Sequence, residues 1–324
     1  MVTVQPGAVF WRRRAAALAA LALLVLIPLL VLLTAGGGED DAASGDRASA
    51  ASEKESERKA EAERPQLPRG GRSIFPESRV VAFYGAPQDD ELGVLGIGSP
   101  DRAAKKLATV TKRYSRKSRP AVPAMELIAV VAAAHPGEGD RYNLRQSDAV
   151  IRRYLKAARK AKALLLLDIQ PGHADFLAEA MRLEKWLKEP DVGLALDPEW
   201  ATPGAVPGTQ IGSVDAKTVN AVSAWLDRIV QRDDLPQKLF VVHQFTDDMI
   251  SNRERLKQRD GLEITLNVDG FGDRPNKLAK YREFTSHAVR FHDGFKLFYK
   301  EDTNLMTPGA VLDLRPPPDF VVYE

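Results

Sequence analysis

Cysteine is absent from the chain. Its absence excludes disulfide bonds, a thiolate nucleophile and zinc sites with cysteine ligands. It also excludes a lipid anchor of the bacterial lipoprotein type, which is attached through cysteine. Stability must therefore come from a packed core, and 324 residues with 44% hydrophobic side chains are enough to form a large one.

An excess of one charge is also lacking. The chain has 46 basic and 44 acidic side chains, a formal net charge of +2, and the two signs are interspersed. Proteins that bind nucleic acid carry a basic field, because contacts with phosphates supply much of their affinity. We therefore expect no nucleic acid partner.

Several short catalytic motifs are missing. The sequence has no His-x-His or His-Glu-x-x-His pair, so a histidine-based zinc hydrolase lacks its ligands. It has no Gly-x-Ser-x-Gly elbow for a serine esterase. Carboxylates can bind Ca²⁺ or Mg²⁺, but no loop has a spacing that demands either ion. The sequence predicts neither a metal nor another cofactor.

The longest apolar stretch lies near the N-terminus. Three arginines at 12–14 precede 19 uncharged residues at 15–33. A helix of that length crosses a hydrocarbon core of about 30 Å, and its basic flank stays in the cytoplasm. The sequence predicts a cytoplasmic basic segment at 1–14, a transmembrane anchor at 15–35 and an extracytoplasmic remainder, which makes a single-pass protein of the cell membrane. A cleaved signal sequence, which would leave a secreted protein, is the alternative.

A polar segment follows the apolar stretch. Residues 36–72 are rich in Gly, Ala, Ser, Glu, Lys and Arg, and they contain no Ile, Val or aromatic residue. Such a composition cannot bury enough apolar surface to offset the entropy lost on ordering. We therefore predict a disordered charged linker at 36–72 and a folded domain at 73–324.

Eight strand-like apolar runs characterise the folded domain. Helix-like segments separate most of them, and near-continuous apolar strands that alternate with helices form parallel sheets with a covered outer face. Eight such units predict an α/β fold, a (β/α)8 TIM barrel. The runs lie at 80–84, 127–131, 164–168, 192–197, 239–243, 264–269, 295–299 and 320–323.

The ring of helices around this barrel is predicted to be incomplete. Residues 304–318 contain four prolines and no helical period, and the eighth run ends at the terminus. The segment at 73–78 is a candidate to cover the resulting gap. Capping residues and helix-opening prolines predict helices at 103–114, 149–162, 174–188, 216–231, 249–258 and 275–284.

Polar residues at the ends of the runs are the candidates for function, because the active sites of TIM barrels lie at the carboxyl ends of the strands. Asp197 and Glu199 end the fourth run, and alternate residues of a strand point to the same side. Close carboxylates repel each other, which separates their pKa values into those of a proton donor and a base or nucleophile. Trp200 can stack on a sugar ring. In the structural alternative, Asp197 caps a loop amide and Glu199 pairs with a basic neighbour.

Three other runs end in polar residues. Asp168 and Gln170 follow the third run, where they supply a carboxylate and an amide on one face, although Asp168 can instead orient a neighbouring histidine. His243 closes the fifth run and either binds a substrate or a catalytic carboxylate, or is a satisfied core histidine. Asn267 and Asp269 end the sixth run, and Asp269 is a possible second carboxylate.

The chain resembles the glycoside-hydrolase-like TIM barrels over residues 79–324. The pair Asp197-x-Glu199 is similar to the strand-four acids of chitinase-type barrels and of the TIM-barrel muramidases that cut bacterial cell wall. The resemblance implies that Glu199 is the proton donor and that Asp197 assists it.

These observations predict an exported, membrane-tethered barrel that binds and hydrolyses a carbohydrate of the cell envelope. Two alternatives remain open: a noncatalytic protein that binds carbohydrate or envelope, and an exported phosphodiester or amide hydrolase with a carboxylate-bound metal. The predicted catalytic residues are Glu199 as general acid and Asp197, Asp168 or Asp269 as its partner. The predicted substrate-binding residues are Tyr84, Gln170, Trp200, His243 and Asn267.

Overall fold

Eight parallel strands form the centre of the fold, as the apolar runs predict. The computed structural model describes Glu61, residues 63–286 and residues 291–324. The chain divides into the units Met1–Glu61 and Ala62–Glu324, and the strands belong to the second unit. They are β1 (Arg79–Gly85), β2 (Ala121–Ala132), β3 (Leu164–Ile169), β4 (Val192–Leu196), β5 (Lys238–Gln244), β6 (Leu262–Val268), β7 (His292–Leu297) and β8 (Phe320–Tyr323).

The strands close into a barrel. Each strand pairs in parallel with the strands before and after it in the chain, and β1 pairs with both β2 and β8. This arrangement confirms the predicted parallel barrel with surrounding helices. Three short strands lie outside the ring: Asn143–Arg145 is antiparallel to β2, and Val214–Asp215 pairs with Ile250–Ser251.

The helices begin at capped positions. The side chains of Ser99, Ser147 and Asp215 accept hydrogen bonds from amides in the first turns of the helices that follow them, which satisfies donors that the helix itself leaves free. The helices are α1 (Pro100–Tyr114), α2 (Asp148–Lys160), α3 (Phe176–Arg182), α4 (Glu184–Leu187), α5 (Ala216–Arg232), α6 (Arg274–Thr285) and α7 (Pro308–Leu312). Turns of 3₁₀ helix lie at Asp90–Leu92, Val94–Gly96, Glu138–Asp140, Pro198–Trp200, Asp247–Met249 and Arg253–Arg255.

The predicted helix at 249–258 is wrong. Ile250 is buried and pairs as a strand with Val214, and Asn252 has a left-handed backbone with φ of 54°. A residue in that conformation interrupts a right-handed helix. Two other helix predictions also need correction, because 174–188 divides into α3 and α4 and the proline-rich segment at 304–318 contains the short α7.

The segment at 73–78 does not cover a gap in the helix ring. Ile74 and Phe75 are buried in one cluster with Val80 and Phe320 at the start of β1 and β8. The ring of Phe75 lies 4.4 Å from that of His292, the first residue of β7. The segment therefore packs against the apolar amino-terminal end of the barrel interior.

The strand period of two separates an inner from an outer core. Val80, Ala82, Leu164 and Leu166 belong to the inner cluster, whereas the intervening residues, such as Val81, pack in the larger cluster that includes the helices. Side chains of one strand alternate between the two faces. Every second residue of a strand therefore faces the interior, and the last of these inner positions lie at the carboxyl-terminal mouth of the barrel.

Among the described residues, no helix is long and apolar enough to cross a membrane. The predicted basic segment at 1–14 and the predicted anchor or signal sequence at 15–35 lie outside the described residues. Most of the predicted linker at 36–72 does so as well. Its described part contacts the barrel domain, since the guanidinium of Arg72 donates hydrogen bonds to the carboxylate of Asp234 and the carbonyl oxygen of Leu235.

Candidate functional site

Polar side chains replace the apolar interior at the mouth of the barrel. On β3 the inner positions change from Leu166 to Asp168 and then to Gln170 just beyond the strand. On β5 the inner position after Val241 is His243. The same alternation therefore builds both the apolar interior and the polar site above it.

Tyr84 connects three of the predicted residues. Its hydroxyl lies 3.0 Å from Asp168 Oδ2 and 3.2 Å from Asp197 Oδ2, and it accepts a hydrogen bond of 2.9 Å from Gln170 Nε2. Gln170 Oε1 in turn accepts a hydrogen bond of 3.1 Å from the amide of Ala132, which fixes the orientation of the side-chain amide. Burial, together with Asp168 and Asp197, raises the pKa of Tyr84 far above its ordinary value, so its hydroxyl stays protonated.

His243 forms the centre of a second network. Its Nδ1 lies 3.0 Å from Asp269 Oδ2, and its Nε2 lies 3.1 Å from Glu126 Oε1. Asn267 Nδ2 donates to Asp269 Oδ1. Burial alone would lower the pKa of His243, but Asp269 and Glu126 raise it well above its ordinary value. His243 is therefore a buried cation between two carboxylates.

Lys296 joins the two networks. Its Nζ lies 3.2 Å from Asp269 Oδ2, 2.7 Å from Glu324 Oε2 and 4.0 Å from the centre of the Tyr84 ring. Burial would raise the pKa of Asp269, but Lys296 and His243 lower it to about 2. Asp269 is therefore a permanent carboxylate at neutral pH.

Glu199 lies in a different environment. It is half-buried and lines a cavity of about 260 Å³ with Tyr84, Asp197 and Asp269. Burial, and then the negative charges of Asp197 and Asp269, raise its pKa to about 7. A carboxyl group with this pKa is partly protonated at neutral pH and can donate a proton.

Asp197 and Glu199 reach the cavity in a way that the sequence did not predict. The strand β4 ends at Leu196, and Pro198–Trp200 form a 3₁₀ turn. The two acids therefore project from a turn and not from alternate positions of an extended strand. Both nevertheless line the cavity, so the structure brings together the predicted pair.

Aromatic rings surround the same cavity. Trp200, Phe245, Phe271 and Phe298 line it, and the rings of Phe245 and Phe271 are stacked with centres 6.2 Å apart. Phe271 is among the exposed large hydrophobic residues. Flat apolar surface beside carboxyl groups is suited to a ligand with both apolar faces and hydroxyl groups.

The buried acids below the cavity are less accessible. Asp168 is completely buried and does not line the cavity. Burial and the charge of Asp197 raise its pKa well above its ordinary value. Burial also raises the pKa of Asp197, against the opposing effects of His243 and Lys296. Asp168 therefore contacts the hydroxyl of Tyr84 below the cavity, whereas Asp197, Glu199 and Asp269 line the cavity itself.

One group of side chains has the composition of a metal site. Atoms of Glu126, Asp168 and His243 lie within 4.8 Å of one another, and all three residues are buried. In this arrangement both ring nitrogens of His243 already face carboxylates. Among the described residues, however, Glu126 Oε2 and Asp168 Oδ1 are buried without a hydrogen-bond partner.

Three residues of the site were missed by the sequence reasoning. Glu126 lies inside β2, and the predicted run began one residue later, at 127. Lys296 lies inside the run at 295–299, and Glu324 follows the run at 320–323. The sequence signal that could have identified these residues is a single charged residue within or directly after an apolar strand. Such a residue indicates a polar site, because a buried charge requires a partner.

All nine predicted site residues are found in this region. Each of them takes part in a network or lines the cavity, as described above. Comparison of the chain with models of known protein families finds no match, and comparison with curated proteins finds none either.

Proposed function

We propose that the cavity at the barrel mouth binds a carbohydrate and that Glu199 protonates the leaving group during hydrolysis of a glycosidic bond. The observation that carries this proposal is the pairing of Glu199, whose pKa is about 7, with Asp269, whose pKa is about 2, around one cavity. Two carboxyl groups in opposite protonation states are the requirement of acid-assisted glycoside hydrolysis.

The chemistry can be assigned to individual groups. Protonated Glu199 donates its proton to the glycosidic oxygen as the bond from that oxygen to the anomeric carbon breaks. Positive charge develops at the sugar ring, where the carboxylate of Asp269 or Asp197 stabilises it. The oxygen of a water molecule then bonds to the anomeric carbon, and its proton passes to that carboxylate or to the deprotonated Glu199. Lys296 and His243 keep Asp269 ionised.

The aromatic rim supports a carbohydrate as the ligand. Trp200, Phe245 and Phe271 offer flat apolar surface on which the C–H face of a sugar ring can pack. Tyr84, Gln170, His243 and Asn267 hold the acids beneath it through hydrogen bonds. The proposed location is outside the cytoplasm, on the membrane or secreted, and its support is the apolar segment at 15–33 with its basic flank.

The test compares the domain with its Glu199→Gln variant on cell-envelope glycans, with released reducing ends as the readout. We expect the substitution to lower kcat by at least about 100-fold, because general acid catalysis is removed. Glu77→Gln, an exposed acid at the other end of the barrel, is the matched control. Equal activity of Glu199→Gln and the control would reject the role of Glu199, and loss of activity with a chelator would support a metal-dependent hydrolase instead.

A noncatalytic carbohydrate-binding protein is the second candidate. Its support is that Asp168, Asp197 and Asp269 all have internal hydrogen-bond or ion-pair partners, as expected of acids that stabilise a fold. Binding of a glycan without release of any product, in both the native domain and Glu199→Gln, would favour this function.

A further inference from the structure

A second cavity lies on the outer side of the barrel wall. Its volume is about 550 Å³, within the range of about 300 to 1,000 Å³ that is typical of ligand pockets. Phe83, an outward-facing residue of β1, forms part of it together with Val110 of α1 and Tyr299 after β7. The cavity is therefore a groove between α1 and the loops that follow β1 and β7.

This outer groove is adjacent to the cavity of the candidate site. Glu91, Glu301 and Glu324 line both of them. Lys300 Nζ lies 2.6 Å from Glu91 Oε1, and both side chains are exposed. An exposed ion pair contributes little net stability, so a ligand that passes between the cavities can displace it at small cost.

The floor of the outer groove is apolar and includes an aromatic platform. The side chains of Val94, Ile97 and Val110 line it. Tyr299 is 41% exposed, and its ring stacks on that of Tyr323 with centres 5.1 Å apart and planes inclined by 24°. A ring held in this way offers a flat surface at a low cost in side-chain entropy.

The rim of the outer groove carries more acids than bases. Its four acidic residues outnumber the two lysines that line it. A negative field of this kind disfavours a polyanionic ligand. The lining acids are Asp90, Glu91, Glu301 and Glu324, and the lining bases are Lys106 and Lys300.

We infer that a single glycan chain occupies both cavities, so that the substrate is a neutral or amine-bearing polysaccharide and not a short sugar or a polyanionic polymer. This inference rests on the proposed function, because it extends the same binding site. Sugar units beyond the one at Glu199 pass Glu91 and Glu301 and stack on Tyr299. The outer groove thereby gives the domain a preference for long chains.

The experiment measures binding by titration calorimetry with defined oligosaccharides. The probes are a disaccharide and a hexasaccharide of β-1,4-linked N-acetylglucosamine, the same pair built from glucose, and a hexamer of galacturonate as the polyanion. We expect a neutral hexasaccharide to bind at least about tenfold more tightly than its disaccharide, and the galacturonate hexamer to bind more weakly.

Two variants test the outer groove itself. Tyr299→Ala removes the platform, and Thr109→Trp fills the groove from the exposed face of α1. Each should abolish the tenfold advantage of the hexasaccharide and leave disaccharide affinity unchanged. Met181→Trp, at an exposed position of α3, is the control and should leave both affinities unchanged.

The outcomes separate the two proposals. Three results would overturn the inference about the outer groove. They are equal affinity of the native domain for both chain lengths, a hexasaccharide advantage that persists in both variants, and tighter binding of the polyanion. A length preference that depends on Tyr299, together with equal hydrolysis by the native domain and Glu199→Gln, would overturn the catalytic role and leave this inference standing. Failure of every oligosaccharide to bind would contradict both.

Discussion

At the scale of single residues, burial and neighbouring charges together set the pKa values of the acids in the site. Asp269 lies against Lys296 and His243, and its pKa falls to about 2. Glu199 is half-buried near Asp197 and Asp269, and its pKa rises to about 7. The sequence predicted that the pKa values of its acids would separate. It did not predict which cations separate these pKa values, because Lys296 was not recognised as part of the site.

Asp197→Asn tests this electrostatic coupling. Removal of a negative neighbour should lower the pKa of Glu199, because the charge of Asp197 raises it. A general acid loses activity as pH rises through its pKa, so the native domain should lose activity above about pH 7 and the variant at a lower pH. The pH profile of kcat/KM checks this. An unchanged profile would contradict the coupling, and Asp313→Asn, an exposed acid, is the control.

Asp269 should also contribute to stability in a pH-dependent way. Its pKa in the folded protein is about 2, below the ordinary value of 3.8, so its contribution is present at neutral pH and is lost as pH falls through about 2. We expect the contribution to be about 2 kcal/mol at pH 7. Urea unfolding at several pH values should show that the stability difference between the native domain and Asp269→Asn shrinks in acid. A constant difference would contradict the pairing.

At the scale of secondary-structure elements, local patterns predicted the strands better than the connections. Each barrel strand appeared in the sequence as an apolar run, because both of its faces are buried. The connection after β5 is different, since Thr246, Asp247 and Asp248 look like the start of a helix. The buried strand pair of Ile250 with Val214 and the left-handed Asn252 replace that helix. Such a tertiary pairing between distant segments has no local signal.

Asn252 provides a test of this connection. Its side chain donates a hydrogen bond of 2.6 Å to Asp215 Oδ2, and its backbone is left-handed. Asn252→Ala should lower the free energy of unfolding by about 1 kcal/mol or more, because the left-handed backbone conformation is unfavourable for alanine. Asn252→Gly loses the same hydrogen bond without that penalty and should cost less. Equal losses in urea unfolding would show that the backbone conformation contributes nothing.

At the scale of the whole molecule, the barrel is closed at one end and open at the other. Ile74 and Phe75 fill the amino-terminal end, whereas the carboxyl-terminal end holds the charged networks and the cavity. The apolar packing and the proposed binding site therefore lie at opposite ends of the barrel, as is usual for this fold. The polar residues that the sequence singled out lie at the carboxyl-terminal end, whereas residues 73–78, which were predicted to cover a gap in the helix ring, pack at the amino-terminal end.

A pair of phenylalanine substitutions tests this division. Phe75 is 4% exposed, and Phe75→Ala should lower the free energy of unfolding by about 3 to 5 kcal/mol. Phe271 is 59% exposed at the rim of the cavity, so Phe271→Ala should leave stability nearly unchanged and weaken glycan binding. Urea unfolding and calorimetric binding check the two effects. The division would be contradicted by a large loss of stability in Phe271→Ala.

The amino-acid sequence by itself predicted the eight strands, their parallel barrel and the polar residues at the mouth, because the pattern of apolar and polar residues along the chain is a local property. Tertiary structure alone decided in which direction the pKa of each acid shifts and where the outer groove lies beside the site. Glu126, Lys296 and Glu324 are far apart in sequence, and their electrostatic effects depend on distances and burial that exist only after the barrel has closed.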